Sequence, residues 1–344
     1  MGKAKVAING LGRIGRMVLR QLIDDDTVEL AAVNASYPPE TLAHMIKYDS
    51  VHGKLNADID HTEEALYINN HKIALCQERD PAQLPWGQMG IDVVIEATGK
   101  FRERDAAAKH LSAGAEKVII TAPGKQADAT IVMGVNNEAY DHHNHHVISN
   151  ASCTTNCLAP VVKILEDEFG IVDGLMTTVH SFTNDQQNLD NPHKDLRRAR
   201  GCTQSIIPTS TGAARAISEV VPELEGKLNG MALRVPTPNV SLIDLVVDLK
   251  EDVTKEDVNE TFKRASEDGM KNILSYSDEP LVSIDYTSSP YSSIIDGLTT
   301  QVVGDRKVKV LAWYDNEWGY SARTVDLTKM VAEQLMSEKK QKVS

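Results

Sequence analysis

The first half of the chain alternates short apolar runs with segments whose apolar residues recur at helical spacing. Buried-strand runs lie at 5–9, 29–34, 92–97, 117–121 and 147–150. Between the first two runs, Ile14, Met17, Val18 and Leu22 follow a helical period, so this stretch predicts a βαβ unit. Strands that are apolar throughout are typical of a parallel sheet covered on both faces. We therefore predict a doubly wound α/β domain here.

The second half shows longer strand patterns with little helix between them, at 174–180, 231–235, 240–249, 281–286 and 307–313. This order predicts an α+β domain with a mostly antiparallel or mixed sheet. A helix begins near Cys153, and Pro160 inside it is expected to cost a hydrogen bond or to introduce a kink. The apolar stripe of this helix is formed by Leu158, Val161, Val162, Leu165 and Phe169.

Two more helices are expected towards the end of the chain. One begins after Thr254, because Asp257 three residues later completes a capping box. The last helix carries apolar residues at matching spacing and ends in a charged tail that begins at Glu338. We expect this tail to fray, as chain ends without packing partners commonly do.

Composition narrows the class of protein. The longest apolar runs, such as 240–247, are broken by Asp244 and are far shorter than the roughly 20 residues needed to span a bilayer. The first residues lack the apolar region of a secretory signal. With 344 residues, the chain exceeds the size at which one hydrophobic core stops growing, so two domains are expected. These observations predict a soluble cytoplasmic protein without a membrane partner.

Charge and cysteine content restrict the chemistry. A net charge of −13 argues against a nucleic-acid binder, which needs a basic face to neutralise phosphates. The four cysteines, at positions 76, 153, 157 and 202, form neither a disulfide framework nor a zinc-ligand pattern. We therefore predict no metal site, and thiol chemistry remains open.

A glycine-rich turn follows the first strand. Gly10, Gly12 and Gly15 have the G-x-G-x-x-G spacing between a strand and a helix, with Arg13 and Ile14 at the start of that helix. Such a turn lets a pyrophosphate approach the backbone and the positive end of the helix dipole. Glycine-rich turns also occur for purely structural reasons, but the strand before this turn and the helix after it favour a Rossmann dinucleotide site.

The end of the second strand bears on the choice of cofactor. A carboxylate that accepts the ribose 2′-hydroxyl of NAD is expected about 20 residues after the last glycine. This chain has Asn34, Ala35 and Ser36 there, and no acid. A 2′-phosphate would therefore meet no repulsion.

Cys153 is the candidate nucleophile. It lies where a strand passes into a helix, and a helix N-terminus stabilises a thiolate and lowers its pKa. A buried, inert cysteine is the alternative for any cysteine, and we assign that role to Cys157, one helical turn further along.

The base for this nucleophile is sought among 11 histidines. His142, His143, His145 and His146 crowd a polar loop, which we interpret as a solvated turn because no carboxylate or cysteine pattern accompanies them. His180 is better placed at the end of an apolar strand. Residue patterns alone do not select it over His44 or His52.

Longer sequence segments decide which histidine is the base. The segments 7–16, 149–157, 192–200 and 313–320 make the chain resemble the phosphorylating glyceraldehyde-3-phosphate dehydrogenases from end to end. The resemblance implies that Cys153 is the nucleophile and His180 its base. It also implies reversible oxidation of glyceraldehyde 3-phosphate through a Cys153 thioester, which inorganic phosphate attacks to release 1,3-bisphosphoglycerate.

The same resemblance implies the binding residues. The phosphate group of the substrate and the attacking inorganic phosphate would be bound by hydroxyls, arginines and one glycine: Ser152, Thr154, Thr183, Arg198, Thr211, Gly212 and Arg234. Besides the glycine turn and strand end, the cofactor would contact Arg79, Thr121 and Asn316, the last near the nicotinamide amide. The family is homotetrameric, and its 192–200 stretch reaches a neighbouring subunit's cofactor. The implied domains are a dinucleotide-binding domain at 1–152, completed by a C-terminal helix at 316–344, and a catalytic domain at 153–315.

Two positions depart from the common members of the family. Those that use NAD carry Asp where this chain has Ala35, and Leu where it has Asn191. Both changes resemble the bacterial NADP-preferring, gluconeogenic type, so we expect NADP to be preferred over NAD. An erythrose-4-phosphate dehydrogenase is the alternative enzyme, and a non-catalytic binding protein on the same fold is the alternative from another class.

Overall fold

The computed structural model describes residues 2–343 and divides the chain into two compact units. The first unit comprises the chain up to Ile131, Asn137–Ala151 and the residues from Ser321 onward. The second comprises Val132–Asn136 and Ser152–Tyr320. The second unit thus extends to Tyr320, whereas the resemblance implied an end at 315, and it takes in a short segment from 132 to 136.

The first unit is built on one nine-stranded sheet with the order β3-β4-β5-β2-β1-β6-β7-β9-β8. The strands are β1 (Ala4–Asn9), β2 (Val28–Asn34), β3 (Ile59–His61), β4 (Ala65–Ile68), β5 (His71–Cys76), β6 (Val93–Glu96), β7 (Lys117–Ile120), β8 (Ala129–Thr130) and β9 (Val147–Ser149). Only β3 with β4 and β4 with β5 pair antiparallel within the described sheet. The remaining pairs are parallel.

Helices connect these strands: α1 (Arg13–Leu22), α2 (Pro39–Lys47), α3 (Trp86–Met89), α4 (Arg104–Ala107) and α5 (Lys109–Ser112). Short 3₁₀ turns lie at Pro81–Gln83 and Asn137–Ala139. The central strands are apolar and wholly buried, with Ile8, Val94 and Ile119 each at 0% exposure, as parallel strands covered on both faces must be. This confirms the predicted doubly wound fold.

Strand β1 marks the point where the strand order reverses. It pairs in parallel with β2 on one side and with β6 on the other. Connections that leave towards opposite sides open a crevice beyond the carboxyl ends of such strands. Gly10 follows directly after β1, so the glycine-rich turn lies at that crevice.

The second unit contains an eight-stranded sheet with the order β11-β12-β10-β13-β17-β15-β14, in which β16 pairs with β17. Its elements are α6 (Cys153–Phe169), β10 (Ile171–Ser181), β11 (Ile207–Ser210), α7 (Ala213–Ala216), β12 (Leu228–Val235), β13 (Ser241–Leu249), α8 (Lys255–Glu267), β14 (Leu274–Ser277), β15 (Ser293–Asp296), β16 (Gln301–Val303) and β17 (Lys307–Tyr314). The last helix, α9 (Trp318–Val343), belongs to the first unit from Ser321 onward. The 3₁₀ turns of the second unit lie at Ile217–Glu219, Pro222–Leu224 and Ser283–Tyr286. The sheet is mixed, as predicted, because β10 with β12 and β14 with β15 are parallel and the other pairs are antiparallel.

Helix α6 covers one face of this sheet. Leu158, Val161 and Leu165 are fully buried, and the helix contacts β10, β13, β15 and β17. Pro160 lies inside α6, which continues through it. The N-terminus of α8 confirms the predicted capping box, since Thr254 Oγ1 accepts from the Asp257 N–H and the Asp257 carboxylate accepts from the Thr254 N–H.

The prediction of a strand at 281–286 was wrong. The chain forms a 3₁₀ turn at Ser283–Tyr286 because the Asp285 carboxylate accepts a hydrogen bond of 2.8 Å from the Val282 N–H and closes the turn. Val282 and Ile284 are 58% and 71% exposed, so the apolar alternation that suggested a strand faces solvent.

The charged tail that begins at Glu338 was expected to fray, but it is helical. Helix α9 continues through this region, and Glu338 Oε2 lies 2.9 Å from His142 Nε2. Lys339 Nζ lies 2.6 Å from Glu116 Oε1 and also pairs with Asp92. The histidine loop is thus bound to α9 rather than being only a solvated turn.

The described residues contain no cluster of three or more potential metal ligands. No helix among them has the length and apolar character required to cross a membrane.

Candidate active site

The glycine turn has room for a ligand only at its middle position. A Cβ on Gly10 (φ +99°) would lie 2.8 Å from the Thr98 nitrogen, and one on Gly15 would lie 1.9 Å from the Gly10 carbonyl oxygen. A Cβ on Gly12 would meet nothing within 4 Å, and Gly12 caps α1 without a side-chain hydrogen bond. The open space and the helix N-terminus fit a phosphate-bearing cofactor.

A buried hydrogen-bond network supports the turn. The Glu96 carboxylate accepts from Asn9 Nδ2 at 2.5 Å and from the Thr98 N–H at 2.8 Å. Trp86 Nε1 donates to His110 Nδ1 at 2.9 Å, which leaves the proton of His110 Nε2 to donate to Glu96 at 3.1 Å. Sequence analysis missed this network, because its members are spread over about a hundred residues of otherwise unremarkable strands and helices.

The predicted cofactor residues at the end of β2 have different environments. Asn34 Nδ2 donates to Asn9 Oδ1 at 2.7 Å and to the Glu78 carbonyl at 2.8 Å, so its side chain holds the neighbouring segment in place. Ala35 is 8% exposed and Ser36 is exposed. The bond to Glu78 brings the segment that carries the exposed Arg79 next to the strand end.

The other predicted cofactor residues of the first unit are Arg13, Ile14 and Thr121. Arg13 forms a bidentate ion pair with Asp49, in which Nη2 lies 3.1 Å from Oδ1 and Nη1 contacts Oδ2. Burial alone would raise the pKa of Asp49, but hydrogen bonds led by that from Arg13 hold it well below its usual range. Thr121 Oγ1 donates to the Glu96 carbonyl at 3.1 Å, and Ile14 is half-buried.

Cys153 and His180 face each other in the second unit. Cys153 is the first residue of α6, after the N-cap Ser152, whose Oγ accepts from the Thr155 N–H at 3.0 Å. His180 lies near the end of β10 and is 4% exposed. The Cys153 Sγ lies 3.5 Å from His180 Nε2, within reach of a hydrogen bond to sulfur.

Two groups contact Nδ1 of the His180 imidazole: the Ser181 carbonyl oxygen at 2.7 Å, which can only accept, and Arg234 Nη1 at 2.9 Å, which can only donate. We assign the proton to Nδ1 on the shorter contact, because Arg234 Nη1 can donate to the same carbonyl oxygen at 3.0 Å. The lone pair of Nε2 therefore faces the Cys153 thiol. The Tyr314 ring meets the imidazole edge-on at a centroid distance of 5.9 Å. The histidine is thus oriented as a proton acceptor.

The electrostatics of the pair differ from the sequence prediction. Burial, followed by the positive charge of Arg234, lowers the pKa of His180 to about 3. Burial raises the pKa of Cys153 although Arg234 acts in the opposite direction. The expected lowering of the Cys153 pKa by the helix N-terminus is therefore outweighed by burial.

Two arginines lie beside the pair. Arg234 is paired with His180 in the register of β10 and β12, and its Nη1 donates to the Ser181 carbonyl at 3.0 Å. Arg198 Nε donates to Thr209 Oγ1 at 3.1 Å, while its Nη1 pairs with Asp185. Burial and then the charge of Arg198 lower the pKa of Arg234. Two adjacent guanidinium groups are suited to bind an anion, and the buried Nε of Arg234 has no hydrogen-bond partner among the described residues.

The remaining predicted phosphate-binding residues are Thr154, Thr183, Thr211 and Gly212. Thr183 Oγ1 lies 3.5 Å from Arg234 Nη1, which places it at the arginine pair. Thr211 and Gly212 follow β11, and Thr211 Oγ1 accepts from the Ala213 N–H at 3.2 Å. Thr154 is buried, and its hydroxyl is 2.9 Å from the Tyr314 hydroxyl.

Tyr314 was not assigned a role from the sequence. Its hydroxyl also lies 2.9 Å from Thr178 Oγ1, and Thr178 donates to the Leu242 carbonyl at 3.1 Å. Tyr314 therefore connects α6, next to Cys153, to β10, next to His180. An aromatic residue in an apolar strand looks like core, and only its place in the 313–320 string indicated more.

Comparison with known proteins agrees with this geometry. Residues 4–104 match the family model for the glyceraldehyde 3-phosphate dehydrogenase NAD binding domain, and residues 152–316 match that for its C-terminal domain. Glyceraldehyde-3-phosphate dehydrogenase 2 of Bacillus subtilis is 64% identical over 330 residues, which cover 96% of this chain and 97% of the relative. Glyceraldehyde-3-phosphate dehydrogenase of Geobacillus stearothermophilus is 59% identical over 328 residues, 95% of this chain and 98% of the relative. The chain therefore belongs to the phosphorylating glyceraldehyde-3-phosphate dehydrogenase family.

Proposed function

We propose that the chain oxidises D-glyceraldehyde 3-phosphate reversibly to 1,3-bisphosphoglycerate and prefers NADP to NAD. The observation that carries the reaction is the 3.5 Å contact between Cys153 Sγ and His180 Nε2 beside Arg234 and Arg198. A nucleophile, its base and two cations for phosphate are the groups that this chemistry requires.

The proton transfers follow from the tautomer of His180. Nε2 takes the thiol proton as the sulfur of Cys153 bonds to the aldehyde carbon, and returns that proton to the developing oxyanion. Nε2 then accepts the hydroxyl proton while the carbon is oxidised to a thioester. The bound nicotinamide dinucleotide supplies the acceptor for the departing hydride. Inorganic phosphate attacks the thioester carbon, and the Cys153 thiolate leaves.

Substrate phosphate would also change the charge balance of the base. The positive charge of Arg234 is the second cause, after burial, of the low pKa of His180. A phosphate dianion bound to Arg234 offsets that charge, so the imidazole accepts a proton more readily when substrate is present. Proton transfer from the Cys153 thiol to the His180 imidazole would thus become easier with phosphate bound.

The NADP preference rests on the end of β2. No carboxylate follows Asn34, and the exposed Ser36 can donate a hydrogen bond. The adjacent segment carries the exposed cation Arg79, and Asn191 lies on an exposed loop in the second unit. At the end of β2 a 2′-phosphate would meet the Ser36 hydroxyl and no acid that directly follows Asn34, while the adjacent segment presents Arg79 and, next to it, the exposed Glu78.

The unmodified enzyme is expected to show a higher kcat/KM with NADP than with NAD, with residual NAD activity. Ala35→Asp should reverse the order, because the new carboxylate repels the 2′-phosphate by about 1–3 kcal/mol and accepts the 2′-hydroxyl of NAD. Ala35→Asn, which has the same shape without the charge, is the matched control. A tenfold NAD preference of the unmodified enzyme would refute this assignment of the strand end.

The aldehyde is tested separately. Steady-state kcat/KM is measured with glyceraldehyde 3-phosphate and with erythrose 4-phosphate under the same phosphate concentration. We expect the three-carbon substrate to be used with the higher kcat/KM. The opposite order would make the chain an erythrose-4-phosphate dehydrogenase on the same site.

A homotetramer is proposed from the family and from the uncovered face of the second sheet. Leu175 and Met231 are 69% and 41% exposed on the face opposite α6, and they belong to the neighbouring strands β10 and β12. Exposed apolar residues side by side on a sheet mark an interaction surface. We expect a tetramer in analytical ultracentrifugation, and smaller species after Leu175→Asp. Replacement of the exposed Leu298, which lies off this sheet, is the control, and a monomeric unmodified protein would disprove the proposal.

A further inference from the structure

The side chain of Asn316 is held by two buried serines. Its Oδ1 lies 2.9 Å from Ser181 Oγ and 2.9 Å from Ser241 Oγ. Asn316 is 5% exposed, and the serines are 0% and 1% exposed. The two hydroxyls therefore fix this amide inside the second unit.

The hydrogen-bond pattern decides which way the amide points. Ser241 Oγ already accepts from the Ser181 N–H at 3.1 Å, so its own hydrogen is available to donate. Each buried hydroxyl needs an acceptor, and Asn316 Oδ1 provides one to both. A flipped amide would present N–H groups to both serines, and only one of the two hydroxyl hydrogens could then find an acceptor, the Oγ of the other serine at the longer distance of 3.5 Å. Oδ1 therefore faces the serines and Nδ2 faces away.

The Nδ2 group of Asn316 is a donor prepared for a ligand. No described residue accepts a hydrogen bond from it, although the residue is almost wholly buried. Asn316 lies two residues after Tyr314, whose hydroxyl contacts Thr154 next to Cys153. Ser181, which binds Asn316, follows His180 directly. The unused donor is therefore close in the fold to the reacting pair, where the nicotinamide ring must come to receive the hydride.

We propose that Ser181 and Ser241 are positioning residues that orient Asn316 so that Nδ2 donates to the carboxamide oxygen of the nicotinamide. This inference rests on the proposed function, because it requires a nicotinamide ring beside Cys153. Ser181 then has two roles: its carbonyl accepts from His180 Nδ1, and its hydroxyl donates to Asn316. Ser181 thus orients the His180 imidazole directly and the nicotinamide ring through Asn316.

The carboxamide is the only substituent by which the nicotinamide ring can be held against rotation about its glycosidic bond. Hydride transfer needs the reacting carbons at a defined distance and angle, so a ring that rotates reacts slowly even when the dinucleotide is bound. Removing a serine hydroxyl should therefore affect the nicotinamide end of the cofactor and leave the adenosine end unchanged.

Ser181→Ala tests the inference, because it removes the hydroxyl and keeps the carbonyl that holds His180. Dissociation constants are measured by calorimetry for NAD, NADP and ADP-ribose, which lacks the nicotinamide. We expect the affinity for NAD and NADP to fall by about threefold to tenfold, the value of one hydrogen bond, and that for ADP-ribose to stay unchanged. kcat should fall as well, while the pH profile of Cys153 alkylation without cofactor stays as in the unmodified enzyme.

Further variants keep the test decisive. Ser241→Ala should also weaken the binding of NAD and NADP and leave that of ADP-ribose unchanged. Ser181→Thr should bind both dinucleotides as the unmodified enzyme does, because it retains the hydroxyl. Ser266→Ala, which removes an exposed hydroxyl bound only to the Lys263 carbonyl, is the control that should change nothing. Thermal unfolding confirms that each variant is folded.

Two results would overturn the inference. An equal loss of ADP-ribose and dinucleotide affinity would mean that Ser181 only supports the fold, and unchanged affinities in both serine variants would mean that the hydroxyls do not orient Asn316. A preference for NAD in the unmodified enzyme would refute the cofactor proposal alone, because the ratio of dinucleotide to ADP-ribose affinity is measured with either cofactor.

Discussion

Cys153→Ser is expected to lower dehydrogenase activity by several orders of magnitude and to abolish the thioester. A serine hydroxyl stays protonated near neutral pH, and the neutral His180 3.5 Å away is too weak a base to ionise it. Steady-state rates and mass spectrometry of the acylated enzyme measure the two effects. A protein that bound substrate without catalysis would show no acylation even before the substitution.

The control for this variant is Cys202→Ser. Cys202 is 2% exposed, and its Sγ lies 3.8 Å from Asn188 Oδ1, with no histidine of the described chain at hydrogen-bonding distance. Activity should be retained, and alkylation of the unmodified enzyme should label Cys153 before Cys76, Cys157 or Cys202. Preferential labelling of another cysteine, with activity lost in step, would contradict the assignment of the nucleophile.

His180→Asn is expected to preserve cofactor binding and to lower the rate by roughly 10²-fold to 10⁴-fold, the range for a positioned acid or base. With inorganic phosphate present to offset Arg234, alkylation of Cys153 near neutral pH should also slow, because the thiol loses its proton acceptor. Since burial raises the pKa of Cys153, alkylation of the variant should accelerate only as the pH rises into the alkaline range. Stopped-flow alkylation across pH measures this.

His44→Asn provides the comparison, because His44 competed with His180 in the sequence. It is exposed on α2 in the first unit, and its ring lies 5.0 Å from that of Tyr48 at an interplanar angle of 45°. Its replacement should leave both rate and alkylation unchanged. If His180→Asn alkylated as fast as the unmodified enzyme with phosphate present, His180 would not be the base that activates Cys153.

Elements with strong local signals were predicted well. The central strands of the first sheet are apolar runs that only a doubly covered strand tolerates, and Thr254 with Asp257 forms its capping box from residues three apart. The edge strands β3 and β8 are short and partly exposed, so their side chains carry no clear period and sequence analysis missed them. At 281–286 the apolar residues alternate as in a strand, but the Asp285 carboxylate accepts from the Val282 N–H and closes a 3₁₀ turn instead.

Errors at the C-terminal tail and at Cys153 share one cause. Glu338 meets His142, 196 residues earlier in the chain, and Lys339 meets Asp92, 247 residues earlier. No local pattern reveals such partners. Likewise, the helix N-terminus at Cys153 is visible in the sequence, whereas the burial that raises its pKa depends on strands packed around it.

The sequence by itself determined local features and residue types: a glycine turn after an apolar strand, a cysteine at the start of a helix, and the absence of an acid after Asn34. These features depend on neighbours within a few residues, where backbone sterics and hydrogen bonding act directly. The resemblance to a family named His180 as the base.

Only the tertiary structure decided how these residues act together. Burial lowers the pKa of the His180 imidazole most, and the pairing of β10 with β12 adds to this by putting Arg234, 54 residues away in the chain, against it. Packing of β17 brings Asn316 to Ser181 across 135 residues and sets the direction of its amide. Charge interactions, burial and amide orientation depend on distances in space, and those distances exist only after the sheet has formed.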